Sequence, residues 1–174
     1  MKWVLIIVGA IGALVAVVAI IGSLLPKGHV ARRTAHFAQP PEQVWVAISD
    51  FAGQAAWRPE LKAVEPAGDR NGKAVWLEVP KSGSPMPLET TEMDAPRRLV
   101  RTITDPKLPF GGRWIYDVAP EPGGSRLTIT EEGEVYNPIF RFVSHYFMDT
   151  AGTIEGYLTA LSAKFAEPPR IDKA

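Results

Sequence analysis

Glu131 is the residue whose type and place most suggest chemistry. It lies in "SRLTITEEGEVY", Ser125 to Tyr136, where side chains alternate as on a half-buried β-strand. Leu127, Ile129, Glu131, Gly133 and Val135 share one face, whereas Arg126, Thr128, Thr130, Glu132 and Glu134 share the face that suits water. A carboxyl group among apolar neighbours loses solvation, which favours its neutral form, and that form suits a general acid or a hydrogen-bond donor to a ligand. On the preceding strand-like stretch Trp114, Tyr116 and Val118 alternate in the same way, and Tyr116 adds a phenolic hydroxyl able to meet a carbonyl or hydroxyl. Glu131 and Tyr116 are therefore the candidates for proton transfer. Other placements stay open: Glu131 paired with Arg101 or Arg141 at the end of a sheet, a bulge at Gly133 that returns it to water, or Tyr116 as an ordinary core residue.

The elements that must position these groups follow from periodicity and punctuation. Val30 to Ala38 reads as a first strand, and "QPPEQVWVAISD" as a helix opened by Pro40 and Pro41, with Val44, Trp45 and Ile48 on one stripe. After a loop containing "AAWRPEL" come "KAVWLEV", "PLETTEM", "RLVRTIT" and "RWIYDVA", then the Glu131 strand. The gaps "PKSGSPMP", "DAPR", "DPKLPFGG" and "APEPGGS" are short and turn-rich, which favours antiparallel neighbours. The period then changes: Asn137 can cap a helix with Pro138 in its first turn. Phe140, Val143, Phe147, Ile154, Leu158, Leu161 and Phe165 recur at steps of three, four and seven, predicting one long amphipathic helix. The expected fold is α+β, a curved antiparallel sheet wrapped around a long C-terminal helix.

Residues 3 to 25 contain no charged side chain. As a helix they would extend roughly 34 Å, enough for a hydrocarbon core of about 30 Å. A signal peptide usually has a shorter apolar region and a small-residue cleavage site, so a retained anchor over residues 1–26 is expected, with one domain over residues 27–174. Lys27, Arg32 and Arg33 just beyond the span lean towards a cytoplasmic domain at a bacterial inner membrane, with the opposite orientation left open. Gly9 with Ala13, and Gly12 with Ala16, have the four-residue spacing that lets two such helices form a weak homodimer.

Composition excludes several classes. The chain has no cysteine and a formal charge of zero, and residues 27–174 hold 18 basic and 19 acidic side chains, so disulfide frameworks, thiolate chemistry and a nucleic-acid partner are not expected. The sequence lacks the nucleophile elbow, the phosphate-binding loop and the dinucleotide fingerprint, and no cofactor is expected. His145 and Asp149, four apart on the last helix, suit a solvent-facing pair better than a metal site, and His29 and His36 are isolated. No metal is expected.

Three stretches, "QPPEQVWVAISDFAGQAAWRPEL", "LPFGGRWIYDVAPEPGGSRLTITEEGEVYNPIFRF" and "GYLTALSAKF", resemble the START-like superfamily with the helix-grip fold, in particular its polyketide cyclase/dehydrase and SRPBCC-type members, over residues 30 to 166. The resemblance implies a ligand chamber between sheet and final helix, commonly filled by a hydrophobic lipid-, sterol- or polyketide-like molecule. The expected lining is Trp57, Trp114, Tyr116, Ile129, Phe147 and Ile154, with Glu131 as the polar member. Leu108 and Phe110 in "DPKLPFGG" suit a portal lip or a small packed cluster. The leading expectation is a membrane-anchored binding protein for such a molecule, with the bilayer contacted through residues 3–25. A cyclase- or dehydratase-type enzyme using Glu131 and Tyr116, and an interaction module with a collapsed interior, are the alternatives.

Overall fold

The turns between alternating stretches are too short for crossovers, and the strands pair accordingly. In a computed structural model describing residues 1–149 and 151–173, the strands are β1 Gly28–Phe37, β2 Leu61–Arg70, β3 Lys73–Pro80, β4 Met86–Asp94, β5 Arg98–Ile103, β6 Phe110–Glu121, β7 Gly124–Val135 and β8 Ile171–Lys173. They form one antiparallel sheet in the order β2-β3-β4-β5-β6-β7-β1-β8. Register shifts interrupt β2 between Pro66 and Asp69 and β4 between Thr90 and Glu92, irregularities of the kind that bend and twist a sheet. The helices are α1 Lys2–Leu24, α2 Pro41–Ser49, α3 Pro138–Phe147 and α4 Gly152–Lys164.

The core lies between the inner face of the sheet and two of these helices. Val44 and Ile48 of α2 and Ile154, Leu158 and Leu161 of α4 pack with Ala35, Leu99, Leu127 and Ile129, all fully buried. The Arg33 Nε donates to Glu155 Oε1 at 2.7 Å, tying α4 to β1. This is the expected α+β helix-grip architecture, preceded by an apolar helix long enough to cross a membrane.

The final helical run departs from expectation, because it is two helices and not one. Asn137 Oδ1 accepts from the Phe140 amide at 3.0 Å and Pro138 opens α3, as the sequence predicts. Met148 then turns extended, with ψ of 137°. The Asp149 side chain accepts from the Ala151 amide at 3.0 Å, a local bond of the kind that competes with helix, and α4 starts afresh at Gly152. Thr150, within the predicted single helix, lies outside the described residues.

Strand β2 is not predicted by the alternation of its residues. Pro66 and Gly68 weaken its pattern, and it is an outer strand, where such residues are tolerated. The signal was the Asn71-Gly72 pair, whose φ angles of 52° and 75° make the turn into β3. No bulge occurs at Gly133: β6–β7 pairing runs without a shift from Phe110–Val135 to Glu121–Gly124.

The short strand β8 is held through His36, whose Nε2 lies 2.9 Å from Asp172 Oδ2 and whose Nδ1 lies 2.9 Å from Glu121 Oε1. Asp172 and Glu121 raise the His36 pKa above its ordinary 6.5. The raised value belongs to the folded state, so its stabilisation is complete below about pH 6.5 and is lost as pH rises through the folded value. The effect is small, since Asp172 is 70% exposed. In thermal melts of the full chain, His36→Gln should remove a decline in midpoint that sets in above about pH 6.5.

Candidate functional site

One cross-strand row marks where the packed core ends. Register places Arg101 of β5 opposite Trp114 of β6, and Trp114 opposite Glu131 of β7. The next row on the same face, Leu99, Tyr116 and Ile129, is buried. Beyond it a cavity of about 350 Å³ opens, lined from the helices by Phe140 and Ser144 of α3 and Thr153 of α4. That volume falls in the range of small-molecule sites.

The buried end of the cavity is charged. Arg58, Glu78, Arg101 and Tyr116 line it, with exposures of 7, 4, 2 and 4%. Glu78 Oε1 accepts from Arg101 Nη1 at 2.7 Å and from Arg58 Nη1 at 3.0 Å. Arg58 also donates to Gln54 Oε1 at 2.9 Å and to Glu60 Oε1 at 2.7 Å. Burial opposes the Arg58 charge, but Glu78 beside it more than offsets this, and its pKa stands above the ordinary arginine value. Arg101 Cζ sits 4.3 Å from the centre of the Phe51 ring. Its Nε and Nη2 have no hydrogen-bond partner among the described residues.

The walls are apolar, built from Met86, Leu88, Ile103 and Trp114. At the outer end Phe110 of β6 faces Phe140 of α3, ring centres 6.3 Å apart, beside Ser144 and the exposed Met148. Gly112 lies in this wall with φ of 132°, and a Cβ there would strike the Glu132 carbonyl, so only glycine lets β6 and β7 pair at the rim.

Glu131 has both oxygens engaged. Oε2 accepts from Trp114 Nε1 at 2.7 Å, and Oε1 lies 3.1 Å from His29 Nε2. Its partners are thus Trp114 and His29, not Arg101 or Arg141. His29 comes from β1, paired beside β7, where Gly133 leaves room for its ring. Tyr116 is sealed within the protein, and burial pushes its pKa well above the ordinary phenol value, so it is a neutral hydroxyl at working pH.

The other predicted site residues separate. Trp114, Tyr116, Glu131 and Phe110 line the cavity. Ile129 and Ile154 face the same interior but lie in the packed core, fully buried. Trp57 packs on Tyr157 with ring centres 5.3 Å apart, away from the cavity. Phe147 is 76% exposed on α3, because the helix break turns its face away from the sheet. Leu108 lies half-buried in the turn before β6 and is not a lining residue. His145 packs edge-on against Tyr146, while Asp149 serves the turn into α4, so the two do not pair.

Sequence reasoning missed Arg101, Glu78, Arg58 and Tyr157. The signal for Arg101 was the one that exposed Glu131: Leu99, Arg101 and Ile103 alternate on an inward face. Tyr157, 2% exposed, joins Trp57, Trp114 and Tyr116 in one aromatic cluster, with centres 5.3 to 5.9 Å from its own ring. Glu78→Gln removes the one carboxylate that two buried guanidinium groups share, and should cost about 3–5 kcal/mol. The exposed Arg113–Glu132 pair is the control, where Glu132→Gln should cost under about 1 kcal/mol. Denaturant unfolding of the full chain in detergent measures both.

Comparison with known proteins agrees with the fold. The family described as polyketide cyclase / dehydrase and lipid transport covers residues 29–166. No curated protein matches the chain. Among solved structures, a START superfamily protein from Mycobacterium smegmatis is 16% identical with a TM-score of 0.62, covering 78% of this chain and 96% of its own. The Zhui aromatase/cyclase from Streptomyces sp. R1128 is 14% identical with a TM-score of 0.64, covering 79% and 93%. A truncated norcoclaurine synthase from Thalictrum flavum is 15% identical with a TM-score of 0.63, covering 80% and 94%. At such identities the likeness is one of fold, and with a match over residues 29–166 the chain belongs to the polyketide cyclase / dehydrase and lipid transport family.

Proposed function

We propose that the protein is a membrane-anchored binding protein that holds one hydrophobic small molecule, lipid- or polyketide-like, in the cavity between its sheet and its last two helices. The observation that carries this reading is the cavity itself, apolar along its walls and polar at its buried end, the arrangement expected of a ligand site. Apolar contact supplies most of the affinity, at about 25 cal/mol per Å² buried before the costs of association.

Residues 1–26 act as a retained anchor in this reading, and residues 27–174 as the binding domain. The support is Arg141, 4% exposed, whose Nη1 donates to the carbonyls of Gly22 at 3.1 Å and Leu25 at 3.3 Å. A cation at the carbonyl end of α1 is favourable, and loss of α1 would leave it without those acceptors. The same contact sets α3 beside the membrane end of α1. Phe140, Ser144 and Met148 line the outer end of the cavity, and in this reading that end opens near the bilayer, where a membrane-soluble ligand is concentrated. Lys27, Arg32 and Arg33 favour a cytoplasmic domain.

A cyclase-type enzyme is the second reading, favoured by Glu131, His29 and the neutral Tyr116 lining one cavity. Under it, Glu131→Gln abolishes turnover of an oxygenated substrate. Under the carrier reading the bound molecule leaves unchanged.

Native mass spectrometry of the full chain released from detergent, followed by organic extraction, should give a stoichiometric hydrophobic mass or show uptake of the neutral dye N-phenyl-1-naphthylamine. An empty protein that takes up no dye would refute the reading. Phe110→Asp should slow dye uptake several-fold and leave the thermal midpoint near wild type, because Phe110 lies at the rim.

A further inference from the structure

We infer that α3 is a second membrane-contacting element, its outward face set into the boundary between headgroups and acyl chains of the bilayer that α1 crosses. The inference rests on α1 being the retained anchor proposed above.

The chemistry of the face is the first support. Among Lys, Arg, Asp and Glu, residues 136–148, "YNPIFRFVSHYFM", contain Arg141 alone. That guanidinium is buried and donates to backbone carbonyls, so it gives the surface no charge. Tyr136, Ile139, Val143, Tyr146, Phe147 and Met148 are exposed in its place. Elsewhere beyond α1, the large apolar side chains exposed among the described residues are the scattered Val30, Val46 and Met93. Single exposed hydrophobes are ordinary, whereas a cluster of six on one short stretch marks a contact surface. Helix α4 shows the difference, for its outward positions Thr153, Gly156 and Thr159 are small or polar. Tyrosines suit the membrane interface, and acidic residues resume on either side of the stretch, at Glu134 and Asp149.

Position is the second support. Gly22 lies three residues short of the end of the apolar run 3–25, roughly 4–5 Å along the helix axis, and so near the edge of the hydrocarbon core. A Cβ on Gly22 would strike the Pro138 carbonyl and lie 3.4 Å from the Phe142 Cβ, so α3 packs at that depth. The Phe142 ring in turn lies 4.9 Å from the ring of Tyr146 and 6.4 Å from that of Phe147, centre to centre. The exposed aromatics are thus one ring removed from α1. Residues 3–17 of α1 are exposed and apolar, a surface that lipid covers in this reading, and the same lipid reaches the adjoining face of α3. Phe140 and Ser144 of α3 line the cavity, so this helix separates the bilayer from the ligand space.

The chain has no cysteine, which allows single environment-sensitive nitrobenzoxadiazole labels on the full chain in phosphatidylcholine vesicles. Phe147→Cys tests α3 and Leu14→Cys tests the middle of α1. Val46→Cys is the water-facing control, on α2, which follows the end of β1 away from α1. Lipids carrying a shallow doxyl group should quench the Phe147 label several-fold more than the Val46 label, and a deep doxyl group should quench the Leu14 label most. Tyr146→Cys should repeat the Phe147 result. Quenching at Leu14 with none at Phe147 and Tyr146 would overturn the interfacial helix and leave the anchor standing. A Phe147 label shielded from lipid but self-quenched between chains would assign the face to a second copy and overturn it equally. No quenching at Leu14 would overturn the anchor and the inference together.

Discussion

A single row of side chains, Arg101, Trp114 and Glu131 across three neighbouring strands, determines where this protein stops packing and begins to enclose space. One row inward, Leu99, Tyr116 and Ile129 meet the helices in a close-packed interior. A guanidinium and a carboxylate in the next row cannot be covered by a helix face without partners for their polar atoms. Glu131 finds its partners within the sheet, from Trp114 and His29. Arg101 finds one in Glu78, on the strand beyond β4.

The same row explains which residues were legible in the sequence. Alternation assigns a side chain to a face, and on that basis Glu131, Trp114 and Tyr116 stand out from the order of amino acids alone. It does not assign depth along the strand. Ile129 and Ile154 share the inward face with the cavity residues yet lie in the core, because depth depends on register between strands far apart in sequence. Arg101 carried the same signal as Glu131, but a lone arginine between Leu99 and Ile103 gains meaning only when Glu78 and Arg58 are brought to it. Phe147 failed for another reason: a heptad-like recurrence persists through "HYFMDTAG" although Asp149 supplies a local alternative to the helix there. The apolar residues of α3 are divided between α1 and the rim of the sheet, where Phe140 meets Phe110.

That break has consequences for how the domain meets its N-terminal helix. With the break, α3 crosses to α1, and Gly22 permits the contact, since a Cβ there would strike the Pro138 carbonyl. The outer wall of the cavity is thus made by a helix whose other attachment is the apolar α1. The rim and the N-terminal helix are parts of one arrangement.

The three arginines buried among the described residues show what the chain does when such a group is purely structural. Arg141 donates to four carbonyls, those of Gly22, Leu25, Val135 and Tyr136. Arg58 is met by Gln54, Glu60 and Glu78. Arg141 is engaged on all three nitrogens by backbone, and Arg58 on its Nε and Nη1 by side chains. Arg101 is met by a side-chain acceptor on one nitrogen, its Nε and Nη2 buried without a partner among the described residues, and like Arg58 it lines the buried end of the cavity. Carbonyls and carboxylates were available to satisfy the other two. Arg101 is held instead by Glu78 on one side and by the face of the Phe51 ring on the other.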